Sequence, residues 1–130
     1  ETGELQRVGE NEPVRVDVRI VVASHRPLAW LAAEGAFRAD LYYRLAVFVI
    51  HTPSLAGHMA DVDALTEHFL SRLAAESPAK ALNERALERL REQTWPGNVR
   101  ELEHVLERAW ILAEDRPQIG AEEIELDALL

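Results

Sequence analysis

The chain has 130 residues, 48% of them apolar, which is enough to bury one core or two small subdomains that share an interface. A formal net charge of -9 opposes non-specific attraction to nucleic-acid phosphates, and the lack of cysteine excludes disulfides and thiolate metal sites. No apolar run approaches the roughly 20 residues of a membrane-spanning helix, and the acidic start lacks the plan of a signal peptide, so the expectation is a cytoplasmic chain with no membrane partner.

Taken in order, the first segment places the turn-forming run Gly9-Glu10-Asn11-Glu12-Pro13 between Leu5-Gln6-Arg7-Val8 and an alternating run, Val14, Val16, Val18, Ile20 and Val22. This predicts a hairpin or extended loop feeding a strand. The opposite face of that strand is charged at Arg15, Asp17 and Arg19 and then apolar at Val21 and Ala23, the pattern of a strand passing into an interior sheet. The strand ends at Ser24-His25-Arg26, the end at which α/β folds place ligands. Pro27 opens a short helix over Leu28 to Glu34 stopped by Gly35, a second lies around Leu41 to Leu45, and the apolar run Val47-Phe48-Val49-Ile50 reads as another strand. Strand, helices, strand is an α/β order.

At Pro53 the character changes, and the domain boundary is expected near residues 53 to 58, giving units 1–57 and 58–130. Val62, Leu65, Phe69 and Leu73 recur at helical spacing. Asn83 is placed as the N-cap of the next helix, with Leu82 and Leu87 as a hydrophobic staple and Leu90 continuing the apolar stripe. The last long helix is expected to start at Asn98, with Glu101 as its capping-box partner and Leu102, Val105, Leu106, Ala109 and Leu112 on one face. Arg116-Pro117 ends that pattern, and the acidic tail reads as a short strand or helical turn. Trp95, before Pro96-Gly97, suits a packing anchor between helices. His51, His58, His68 and His104 lack the two-ligand helical spacing, so no metal is assigned.

Three stretches resemble the AAA+ module of the sigma-54-dependent transcription activators, the bacterial enhancer-binding proteins. They are Arg7-Val8-Gly9 with Val16-Asp17-Val18-Arg19-Ile20, then Phe37-Arg38-Ala39-Asp40-Leu41-Tyr42-Tyr43-Arg44-Leu45, then Trp95-Pro96-Gly97-Asn98-Val99-Arg100-Glu101-Leu102. The resemblance runs from Glu4 to about Ala113 and implies the later part of a P-loop NTPase α/β core followed by an all-α three-helix lid. In function it implies a homo-oligomeric ring that spends ATP, with Mg2+, to remodel sigma-54 RNA polymerase. No Gly-rich loop with Gly-Lys-Ser/Thr occurs here, and no apolar strand ends in Asp-Glu, so the chain is expected to bind no nucleotide tightly and to be inactive alone. At the junction the family's usual Leu-Arg-Glu-Arg is replaced by Leu55-Ala56-Gly57-His58-Met59, which removes charges from the hinge.

Carried over residue by residue, the resemblance makes Arg38 and Arg44 arginine fingers acting on the neighbouring subunit's nucleotide. It makes Ser24 and His25 the first sensor, Arg100 the second sensor, and the loop at Gly9, Glu10 and Asn11 the hairpin that passes nucleotide state onward. Each has a plainer reading from the residues alone. Arg38 and Arg44, six positions apart, would stand about 240° apart on one continuous helix, so one of them could instead pair with Asp40 or Glu34. Were Asp40 the cap, Arg38 would precede the helix and point independently. Arg100 falls in a first helical turn, where the macrodipole disfavours a cation, and it could pair with Glu103 or Glu107 or face water. His25 could be a solvated strand end, and the Gly9 loop a simple turn.

Two further functions compete. Short helices joined by Gly or Pro-Gly turns imitate a DNA-binding helix-turn-helix, but Glu101, Glu103, Glu107 and Glu114 on the last helix would be repelled by phosphate. The other is a nucleotide-independent helical interaction module.

Overall fold

In the computed structural model, which describes residues 3–58 and 60–126, the chain divides into two units, Glu1–Ile50 and His51–Leu130.

The first unit opens with the hairpin β1 (Glu4–Gln6) and β2 (Pro13–Arg15), antiparallel, with Leu5 opposite Val14. Gly9 takes φ +86, a conformation that costs other residues a Cβ clash, and the turn is closed by the Glu10 N–H donating to Arg7 O at 3.1 Å. Helix α1 (Leu28–Ala33) buries Leu31 and ends where Gly35, at φ +74, lets Phe37 N–H return to Leu31 O at 3.0 Å. Helix α2 (Ala39–Leu45) packs against it.

The sequence expectation of strands over 14–22 and 47–50 is corrected. Pairing stops at Arg15, extended only by the Val16 N–H to Gly3 O bond, and neither 17–24 nor 47–50 forms a strand. Val21 is 84% exposed and Phe48 83%. The physical reason is that a β-strand exists only through the neighbour that takes its N–H and C=O groups. These apolar runs have the composition of buried strands without a paired neighbour among the described residues.

In the second unit a 3-10 turn (Leu55–Gly57) leads to α3 (Ala60–Leu73). Then follow β3 (Ala81–Leu82), α4 (Glu84–Arg91), α5 (Asn98–Leu112), β4 (Gln118–Ile119) and a 3-10 turn (Ala121–Glu123). Strands β3 and β4 pair in parallel, Ala81 with Gln118 and Leu82 with Ile119. The acidic tail thus supplies both a strand and a helical turn. Asn83 caps α4, its Oδ1 accepting Ala86 N–H at 2.8 Å.

The core gathers Val62 and Phe69 of α3, Ala86 and Leu90 of α4, Leu102, Val105, Leu106 and Ala109 of α5, and Trp95. Leu112 was expected on the α5 face but is exposed; Trp110 and Ala113 are buried instead, because the stripe continues from Ala109 by a step of four. On α3 the buried face takes in Thr66, while Leu65 and Leu73 are only half-buried. The Arg91 guanidinium reaches both Asp63 carboxylate oxygens, at 2.9 and 2.5 Å, linking α4 to α3, and Arg72 donates to Glu103 at 3.1 Å, linking α3 to α5.

Arg116 closes the C-terminal end of α5. Its guanidinium donates to the carbonyls of Ala113 at 3.3 Å and Leu112 at 3.2 Å and to Glu123 Oε1 at 2.5 Å, while Glu123 Oε2 accepts Gly120 N–H at 2.7 Å. Burial alone would push the Glu123 carboxyl up, but the Gly120 N–H and the Arg116 charge more than offset this and hold it below the ordinary glutamate range. A carboxylate with a depressed pKa stabilises the fold above its unfolded-state value and loses that contribution as pH falls through the folded value. Thermal melts across the acid range should therefore show a loss of stability below the usual glutamate pKa that Glu123→Gln reduces. Identical pH profiles for the two proteins would contradict this.

Candidate nucleotide-sensing and arginine-finger residues

In the first unit the predicted residues fall at three places. Gly9, Glu10 and Asn11 form the tip of the β1–β2 hairpin, where Gln6 Nε2 donates to Glu10 O at 2.7 Å and Arg7 lies 3.6 Å from the Glu10 carboxylate. Both side chains of that ion pair are exposed, so it contributes about 0–1 kcal/mol and the turn is set by its backbone.

Ser24 and His25 are exposed in a bend. The Ser24 hydroxyl accepts the Arg26 N–H at 3.0 Å and donates to Arg26 O at 3.2 Å, a local turn that folds its own chain. Among the described residues His25 makes no hydrogen bond or ion pair that would fix its ring, so the exposed imidazole is open to solvent.

Arg38 is the N-cap of α2, with extended backbone at φ -65 and ψ 119, while Arg44 sits in the last turn. Asp40 lies in the first turn and does not cap the helix, which begins one residue before it, at Ala39. Arg38 nevertheless stands outside the helix, as independent pointing requires. Its guanidinium is occupied by Asp40, Nε to Oδ1 at 3.1 Å and a terminal nitrogen to Oδ2 at 2.6 Å. This forked hydrogen bonding raises the Arg38 pKa and, with a contribution from the Leu41 N–H, lowers that of Asp40, so both stay charged at neutral pH. Arg44 is exposed and makes no hydrogen bond or ion pair among the described residues. The two arginines therefore differ in readiness: Arg38 must release a carboxylate to reach an anion, and Arg44 need release nothing.

Arg100 belongs to the second unit, in the first turn of α5, and is exposed. Glu103, one of its sequence-level partners, is taken by Arg72, and Arg100 itself makes no hydrogen bond or ion pair among the described residues. The helix that carries it begins unusually. Gly97 is the N-cap; the Gly97 N–H donates to Glu101 Oε2 at 2.7 Å, which is one half of the expected capping box. Asn98 does not provide the other half. Its Oδ1 accepts the N–H of Leu55 at 2.9 Å, a contact across 43 residues that sequence reading missed, because capping rules look only along the chain. Trp95 and Asn98 both have positive φ, at 51 and 54, and Trp95 Nε1 donates to Leu90 O at 3.0 Å. Trp95 is 1% exposed, so it is an anchor in the core.

Among the described residues no group of His, Asp and Glu is arranged to hold a metal ion, and no helix is long and apolar enough to cross a membrane.

Residues 57–129 match the AAA+ ATPase lid domain and residues 1–51 match the sigma-54 interaction domain. The chain belongs to the sigma-54-dependent transcriptional activators, as the final part of their AAA+ domain. It is similar to nitrogen fixation protein AnfA of Azotobacter vinelandii, 49% identical over 85% of this chain and 21% of that protein. It is also similar to the DNA-binding transcriptional regulator NtrC of Azospirillum brasilense, 46% identical over 82% of this chain and 22% of that protein. The fold matches NtrX of Brucella abortus, solved in complexes with ADP and with ATP, with a TM-score of 0.85 at 34% identity over 95% of this chain and 30% of that one. The chain thus spans about a fifth of the length of AnfA and of NtrC.

Proposed function

We propose that this chain is the sensing and trans-acting part of an AAA+ ATPase that remodels sigma-54 RNA polymerase, working in a cytoplasmic homo-oligomeric ring. A preceding segment carrying the P-loop and the magnesium-binding acid would hold ATP and Mg2+. Arg38 and Arg44 act as fingers on the neighbouring subunit's nucleotide, Ser24 and His25 as the first sensor, and Arg100 as the second. The Gly9-Glu10-Asn11 tip passes nucleotide state to the polymerase-contacting part, the units 1–57 and 58–130 serve as end of core and three-helix lid, and DNA is contacted elsewhere.

The observation that carries the reading is Arg100: an exposed guanidinium with no partner among the described residues, in a first helical turn where the macrodipole disfavours a cation. An anion brought there is attracted by both the helix end and the arginine, so a phosphate removes the electrostatic cost. A DNA phosphate would meet the acidic flank of α5 instead.

The purified chain should show no magnesium-dependent ATP turnover, because sensors without a P-loop cannot hold the γ-phosphate in line. Joined to a matching P-loop half, Arg100→Ala should weaken nucleotide binding by about tenfold or more, the scale of one charge-assisted hydrogen bond. Turnover by the chain alone, or unchanged nucleotide affinity of the joined Arg100→Ala protein, would refute the assignment.

A further inference from the structure

The chain entering the helical unit is tied to the start of α5 by a hydrogen bond as well as by packing. Leu55 is 4% exposed, its N–H opens the 3-10 turn Leu55–Gly57, and no backbone carbonyl among the described residues accepts it. Asn98 Oδ1 is its hydrogen-bond partner among the described residues, at 2.9 Å. A buried donor left without a partner is costly, so the contact is a strong local constraint. The Asn98 backbone is suited to the task. At φ 54 it occupies the left-handed region, which asparagine tolerates better than most residues, and its Nδ2 donates to Pro96 O at 3.3 Å, which fixes the amide's orientation. The Asn98 N–H donates to Trp95 O at 2.8 Å, so the residue is also held from the core side.

We propose that Asn98 is a positioning residue that links nucleotide sensing to the interdomain segment: it ties residue 55 to the helical turn that bears Arg100, two positions along. When phosphate draws on Arg100, the turn Asn98–Glu101 moves as a unit, and the amide of Asn98 carries Leu55 and the 51–58 segment with it. Burial of the Leu55 side chain in the core holds the segment against α5, and the Asn98 hydrogen bond adds a directional tie to the turn that bears Arg100. The proposal rests on the second-sensor reading of Arg100, and the test separates the two.

The test uses the complete ring-forming protein and follows hydrogen exchange at the Leu55 amide and over residues 51–58, with and without a non-hydrolysable ATP analogue. Asn98→Gly keeps the positive φ and removes the acceptor, whereas Asn98→Asp keeps the acceptor. Without nucleotide, Asn98→Gly should speed Leu55 exchange by about fivefold or more, the scale of one lost hydrogen bond, while the amides of Val105 and Leu106 stay protected and show that α5 is intact. Nucleotide affinity should stay near the parent value, but the nucleotide-induced change in protection over 51–58 should disappear, with kcat lowered and KM little changed; Asn98→Asp should restore both. Parental Leu55 exchange in Asn98→Gly, or a full nucleotide response over 51–58 in that variant, overturns the proposal. Unaltered nucleotide affinity in Arg100→Ala is the separate result that overturns the sensor reading beneath it.

Discussion

In the ring formed with a P-loop half, Arg44→Ala should lower kcat by about a thousandfold while nucleotide affinity stays within a few-fold of the parent. The magnitude follows from the role. A finger neutralises charge that develops on the transferring phosphoryl group, so it acts in the transition state and hardly at all on the bound ground state. An arginine that merely stabilised its own subunit would contribute about 0–1 kcal/mol as an exposed pair, worth at most a few-fold in anything measured. Arg44 is exposed and makes no bond among the described residues, which leaves its guanidinium available. Arg38 separates two accounts. If it too is a finger, Arg38→Ala should match the loss at Arg44, and Asp40→Asn should leave kcat intact or raise it by freeing the guanidinium now held at 2.6 Å. If Arg38 serves the start of α2, its replacement should lower the melting temperature with near-normal turnover per folded ring. Steady-state kinetics with a separate nucleotide-binding titration decides between them.

Trp95→Ala should be the most damaging single substitution in the second unit. The indole is 1% exposed in a core cluster that includes Leu90, Leu102, Leu106 and Ile119, and its Nε1–H donates to the carbonyl of Leu90 in α4, which also accepts the Gln93 N–H at 3.4 Å. Truncating a buried aromatic residue costs about 3–5 kcal/mol, and the lost hydrogen bond adds about 0.5–1.5 kcal/mol. Against the roughly 5–15 kcal/mol available to a whole domain, this should leave the unit unfolded or close to it at physiological temperature. Trp95→Phe keeps most of the apolar volume and loses the bond, so it should fall between the two. Chemical denaturation of the three proteins tests this; a loss below about 1 kcal/mol for Trp95→Ala would mean that the indole does not hold the helices together.

What the sequence disclosed and what it hid divide along physical lines. Asn83 as a cap, Gly35 as a helix stop, the Gly9 turn and the Leu102–Val105–Leu106–Ala109 stripe were legible because each depends on residues within a turn or two of one another. The alternation over 14–22 and the apolar run 47–50 suggest strands, but strand formation also needs a neighbour, which no local pattern supplies. Local rules make Asn98 an ordinary helix start; its partner, Leu55, lies 43 residues away, beyond their reach. Thr66 occupies a buried position of α3 outside the Val62, Leu65, Phe69 and Leu73 stripe, with its hydroxyl unpaired among the described residues. For the site, the motifs located Arg38, Arg44 and Arg100, but the Arg38–Asp40 fork and the Arg72–Glu103 bond that leaves Arg100 without Glu103 appear only in three dimensions.

The central claim is that this chain completes a catalytic site on another subunit, and mixing tests it most directly. Rings are formed from two inactive proteins, one carrying Arg38→Ala and Arg44→Ala, the other with its P-loop lysine replaced, and ATP turnover is measured across mixing ratios. Some interfaces in a mixed ring set an intact P-loop against intact fingers, so turnover should return in part and peak at intermediate ratios. If mixed rings are shown to form and turnover stays at the level of either protein alone, Arg38 and Arg44 do not act across the subunit boundary.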